Sequence, residues 1–220
     1  RVSFGRGKGS YSLIDHSLEG TVPIEVQEEA NAVPGLDEGA RAIAQVQAVM
    51  ELEMEKEAAD IARLAASYPV GNKTALSGGS LWSARSSTPI ADVEAAREAI
   101  RSKVGRYPTH MIIPPKVMTA LKQHASIIDR MKYTGRDIPS KELLQSFFEV
   151  PNIIVPDSIY LADNADLSNP AFADVWGNDV VLAYVETAGL ASRGSPSYGY
   201  TYQLSGYPFA EEPYYGRNEK

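Results

Sequence analysis

From Asp37 to about Ser67, apolar residues return at every third or fourth position: Ile43, Val46, Met50, Met54, Ala58, Ile61 and Ala65. That spacing marks one face of an α-helix. Within it "ELEMEKE", 51–57, alternates as a strand would. The strong helix formers and the absence of β-branched residues there decide for helix. Asp37 can cap its start and Pro69 prevents its continuation. One continuous helix over 37–67 is expected. It would be roughly 45 Å long at about 1.5 Å per residue, longer than a small domain needs.

The pattern on either side is different. Positions 1–35 are Gly-rich and then mixed, with breaks at Pro23 and Pro34, and read as an extended arm with a short helix over "VQEEANA". After a link at 70–80, Thr88 and Pro89 read as N-cap and first helical residue. Val93, Ala96, Ile100 and Val104 give that helix its stripe, and Gly105 closes it. "THMIIP" reads as a short buried strand. Pro115 opens a helix carrying Val117, Met118 and Leu121 that runs into "SIIDRMKYTG", 126–135, where Tyr133, Thr134 and Gly135 read as a turn. Ser140 can cap a further helix in which Leu143 and Phe147, and Leu144 and Phe148, stack at i,i+4. "NIIVP", "FADVW", "DVVLAYV" and "SYGYTYQL" are strand candidates by their branched and aromatic content. "LADNADLSNPAF", 161–172, is rich in turn formers and predicts a surface loop. The fold class is α+β, without a βαβ repeat or an internal repeat.

Composition narrows the chemistry. The 220 residues are 44% hydrophobic and 22% charged, with a formal charge of −7 and no cysteine. Disulfides and thiolate chemistry are thereby excluded. No apolar run approaches the ~18 residues of a membrane span. No basic face fit for a phosphate backbone is visible, so specific nucleic-acid binding is not expected. "GRGKGS", 5–10, fits neither the Walker spacing nor the dinucleotide fingerprint, and reads as a flexible loop. His16, His110 and His124 are scattered without ligand spacing. "DNADLSN" lacks the glycine and distal glutamate of a calcium loop. Glu51, Glu53, Glu55 and Glu57 read as a solvated helix face, and the tail tyrosines from Tyr198 to Tyr215 as strand or interface packing.

From about Leu76 to Tyr214 the order of features resembles the major capsid proteins of tailed bacteriophages, whose fold is shared with encapsulin shells. The resemblance rests on Trp82 with Thr88-Pro89, the helix closed by Gly105 and Pro108, "MII" before "KVMTALKQH", and "IIDRMKYTG". It continues through "LLQSFFEVPNIIV", "VWGNDVVLAYV" and "PSYGYTYQLSGYP". The long upstream helix with Glu55, Ala58 and then Tyr68 is similar to that family's spine helix. Ala84, Thr109 and Ala125 depart from residues common in the family, which bears on the subfamily.

The resemblance implies an extended arm over 1–36, a peripheral domain with the spine helix over 37–76, an axial domain over 77–185, and return strands over 186–220. It implies a shell subunit that assembles with itself into pentamers and hexamers, with no catalysis, no cofactor and no metal. Scaffolding, portal or decoration proteins are the further partners it suggests. The place of action would be the virion, after assembly in the bacterial cytoplasm. In this setting Ile127 and Ile128 anchor a turn, and Asp129, Arg130, Lys132 and Tyr133 are candidate subunit contacts. Asp163, Asn164 and Asp166 are a second candidate group, on a loop directed at a capsomer axis. An acidic subunit suits a shell around DNA, because a basic wall would hold the genome non-specifically. Two alternatives are a protein-cargo compartment of the same fold and an enzyme with an unrecognised site. Since the chain opens on Arg1 and the family's closing segment is not seen, a piece of a longer protein is expected, forming small rings or looser oligomers rather than finished shells.

Overall fold

The computed structural model describes residues 10, 12–33, 35–131, 139–162, 165–186 and 196–206. Two compact units are present, one of residues 1–51 with 200–220, the other of 52–199.

In the first unit, the arm from residue 12 to Val22 forms no helix or strand and leads through Pro23 into α1 (Ile24–Asn31). It approaches the first half of α2 (Glu38–Arg63) so closely that a Cβ at Gly20 would lie 2.9 Å from Val46 Cγ2. Glycine is what permits that approach. Asp37 caps α2 as expected, its Oδ1 accepting from the Ala40 amide at 3.0 Å.

α2 is continuous through 51–57 but ends at Arg63, four residues before the expected limit. Leu64 is extended and Ala65–Ser67 form a 3-10 turn. Pro69 bars continuation beyond Tyr68 but does not itself set the earlier stop at Arg63. Its ring would clash with the Ala65 carbonyl in a helix, and it drives Tyr68 to φ −115°, ψ 138°. The apolar face marked by periodicity is largely uncovered: Met54 and Ile61 are each 59% exposed. The chain instead buries the neighbouring face, through Ala59 and Ala62.

The second unit is built on a three-stranded sheet in the order β2-β1-β5. β1 (His110–Ile112) runs parallel to β2 (Asn152–Ile154), with Met111 opposite Ile153, and antiparallel to β5 (Val181–Ala183), with Met111 opposite Leu182. Around it stand α3 (Pro89–Val104), α4 (Pro115–Lys122), α5 (Ala125–Met131) and α6 (Lys141–Phe148). Ile90, Val93, Met111, Ile113, Leu121, Ile127, Leu144, Phe148 and Ile153 form one buried cluster. The local signals act as anticipated at α6, where the Ser140 hydroxyl accepts from the Leu143 amide at 3.3 Å, and at Gly105, which ends α3 at φ +74°. Thr88 marks the start of α3 without a side-chain cap bond.

Other expectations are corrected. The helix opened by Pro115 does not run on into "SIIDRM", which lies in a separate helix, α5, with Ile127 buried and Ile128 exposed; the turn expected at Tyr133, Thr134 and Gly135 lies outside the described residues. "FADVW" yields only β4 (Ala173–Asp174), paired with β3 (Ile159–Tyr160), a strand the sequence reading did not include. The described part of "SYGYTYQL" forms no strand. Its alternating tyrosines are exposed, and one ladder-like bond, Tyr198 amide to Tyr184 carbonyl at 2.9 Å, joins it to the segment after β5.

Candidate subunit-contact site

The α4–α5 corner is organised by His124, which is buried. Its Nδ1 lies 3.2 Å from the Ser126 amide and 2.8 Å from Ser126 Oγ. An amide can only donate, so Nδ1 accepts and Nε2 carries the ring proton. Nε2 faces the Ala84 carbonyl and Ser87 Oγ, each at 3.1 Å. One imidazole thus caps the start of α5 and pins the 81–87 turn beside it. The same turn is tied to α3, because the Trp82 indole N–H donates to Asp92 Oδ2 at 2.8 Å.

Beside His124 opens a groove of about 490 Å³. Ala120, Ala125 and Ile128 give it an apolar lining, and Arg85, Gln123 and Asp129 supply polar groups. Asp129 therefore stands on the wall of a concave surface. Arg130 is exposed in the last turn of α5, where a cation complements the helix dipole. Lys132 and Tyr133 lie outside the described residues.

In the 161–172 loop, Asp166 Oδ1 accepts from both the hydroxyl (2.7 Å) and the amide (2.9 Å) of Ser168. These donors, the hydroxyl first, hold the carboxyl below the usual aspartate range. The Asn169 amide closes the turn onto the Asp166 carbonyl at 3.1 Å. Leu167, at its tip, is 82% exposed. Asp163 and Asn164 lie outside the described residues.

A third feature was misread in the sequence. Glu55 is not simply solvated: its Oε2 accepts from the Ser158 hydroxyl at 2.6 Å and its Oε1 from the Trp176 indole N–H at 2.9 Å. One helical stretch further, Arg63 donates to Asp179 Oδ2 (2.9 Å) and to the Val175 carbonyl (3.2 Å). Lys56 Nζ stands 5.0 Å from the centre of the Tyr160 ring. Gly177, at φ +57°, leaves room where a Cβ would strike the Arg63 guanidinium. The second half of α2 is thus joined to the β3–β4 region by directional polar contacts. Nothing local marked Glu55, since Ser158 and Trp176 are 103 and 121 residues away.

Among the described residues no group of three or more His, Cys, Asp or Glu is placed to hold a metal ion, and no helix is long and apolar enough to cross a membrane. The arrangement consists of apolar surface, caps and clamps, as in a protein whose work is to make contacts.

The comparisons agree with that class. The family model for phage major capsid protein E matches residues 42–217. The chain is 36% identical over 208 residues to the major capsid protein of Burkholderia phage BcepMu, an alignment covering 92% of this chain and 65% of that protein. It is also similar to the crystal structure of a phage-related protein from Bordetella bronchiseptica RB50, with a TM-score of 0.82 and 38% identity over 94% of this chain and 67% of that one. The chain belongs to the phage major capsid protein E family. It spans about two thirds of the length of these relatives.

Proposed function

We propose that this chain is the shell-building part of a phage or prophage capsid subunit, closing with copies of itself into pentamers and hexamers of an icosahedral shell around DNA. The observation that carries the reading is the apolar surface left uncovered on the long helix of a capsid-family chain, with Met54 and Ile61 the extreme cases. Contiguous exposed apolar surface on a folded chain marks contact sites for other molecules. A repeating partner of the same sequence supplies such contacts at every position of a closed shell.

In this reading residues 1–36 are the arm, 37–76 hold the spine helix, 77–185 form the axial domain and 186–220 return to the periphery. The groove wall with Asp129, the exposed Arg130 and the turn shaped by Asp166 are surfaces through which neighbours meet. The subunit acts by geometry and carries out no reaction. Its further partners are scaffolding, portal or decoration proteins, and its place is the virion, after assembly in the host cytoplasm. The test is electron microscopy and analytical sedimentation of the complete protein expressed alone. Shells, tubes or rings are expected, and a clean monomer at high concentration would overturn the reading.

A further inference from the structure

The turn at 166–169 and the groove beside His124 both belong to the unit of 52–199. Leu167 is a large apolar side chain that its own chain leaves 82% exposed, on a turn fixed by two bonds to Asp166 Oδ1. A turn ordered in advance presents its tip with little further entropy to lose on docking. The groove offers Ala120, Ala125 and Ile128 as an apolar seat. In its lining Arg85 is exposed and makes no ion pair among the described residues, while its guanidinium has five N–H donors to place. Both Ser168 donors go to Asp166 Oδ1, and Oδ2 accepts no hydrogen bond among the described residues.

We infer that Leu167 of one copy seats in the α4–α5 groove of the next copy, with Asp166 paired to Arg85 of that copy. The inference rests on the capsid reading and gives it a defined contact. Knob and groove are different surfaces, so the contact is head-to-tail. Repeated by rotation, such a contact closes a ring, as a capsomer requires, whereas a two-fold dimer would use one patch twice.

The test uses the complete protein. Its cysteine background is open over this chain, which has none of its own. Leu167→Cys and Ile128→Cys are made singly and together, and oxidised after assembly. The double variant is expected to give a reducible ladder of linked copies, and neither single variant a dimer. Dimers from Leu167→Cys alone would place the turn against its own copies around an axis and overturn the inference. So would an absence of cross-links in proven rings.

Leu167→Asp is read in parallel. Its site is exposed, so an unchanged melting curve is expected, with a rise of about tenfold or more in the concentration needed for assembly. Asp166→Arg with Arg85→Asp should restore part of the assembly that either loses alone. Unchanged assembly of Leu167→Asp would end this inference while leaving the capsid reading intact. Failure of the unaltered protein to assemble would end both.

Discussion

The cluster around β1 and the seam between α2 and the β3–β4 region lie in the same unit, yet they are held in opposite ways. Around β1, Met111, Ile113, Leu121, Ile127 and Leu144 are wholly buried, and packing leaves no directional bond to satisfy. In the second half of α2 and just after β4 the buried apolar groups among the described residues are small, Ala59, Ala62 and Val175, and the fixing contacts are those of Glu55, Arg63 and Lys56. Apolar packing contributes in proportion to area and tolerates shifts poorly, because interiors are close-packed. Charge-assisted hydrogen bonds set position and are individually smaller in net effect. One region therefore supplies stability and the other sets where the long helix lies.

The largest expected effect is in the cluster. Phe148→Ala should cost about 3–5 kcal/mol, measured by denaturant unfolding, because Phe148 is 1% exposed and the void cannot be filled by water. A loss below about 1 kcal/mol would show that the core is loose and erase the contrast. Glu55→Ala comes next. It strands the Ser158 and Trp176 donors and should cost about 1–3 kcal/mol, with a shift in indole fluorescence from Trp176, one of two tryptophans. Glu55→Gln, which keeps an acceptor, should recover part of both signals. If Glu55→Ala leaves fluorescence unchanged, the seam is not held as described. Ser140→Ala, removing the one cap bond of α6, should cost about 1 kcal/mol by the same unfolding measurement. Its effect should be confined to stability, with the Trp176 signal untouched.

The same contrast explains what the sequence made legible. Periodicity found α2, α3, α4 and α6 because a helix face is written in residues three and four apart. Capping residues placed their ends at Asp37, Gly105 and Ser140, and Pro69 correctly barred helix beyond it while the true end fell earlier. Strand character was visible in "THMIIP" and "NIIVP" because branched residues are dense there. β3 escaped, since two residues carry no period, and "SYGYTYQL" misled because aromatic content alone does not supply a partner strand. Of the groove and the 166–169 turn, the charged residues Asp129 and Asp166 drew notice by type. Leu167, Arg85 and the role of His124 did not. Their significance lies in exposure and in contacts between segments 37 to 40 residues apart, as for His124 with Ser87 and Ala84, and no local pattern encodes these.

The smallest expected effect tests whether the end of α2 belongs to the packed or to the polar side of the comparison. Tyr68 donates to the Ala62 carbonyl at 2.7 Å, and its own oxygen meets the Tyr198 hydroxyl, the two rings being 6.5 Å apart. Partial burial, and then the bond to Tyr68, push ionisation of Tyr198 well above the ordinary tyrosine range. The sign follows from which form folding prefers. The neutral phenol is favoured in the folded chain, so its contribution is complete below about pH 10, the unfolded value, and is lost as pH rises through the higher folded one. A phenolate at Tyr198 could be met only if Tyr68 turned its proton from Ala62, giving up a bond in the last turn of α2. Tyr198→Phe removes that ionisation together with a half-exposed hydrogen bond, so at neutral pH it should cost under about 1 kcal/mol. In a spectrophotometric titration of the folded protein, the variant should lack one late-ionising tyrosine. Alkaline unfolding curves should converge for the two proteins as pH rises through that range, since the hydroxyl no longer contributes in either. If they stay parallel throughout, the pair is merely in contact, and the end of α2 is held by packing on Ala59 and Ala62 instead.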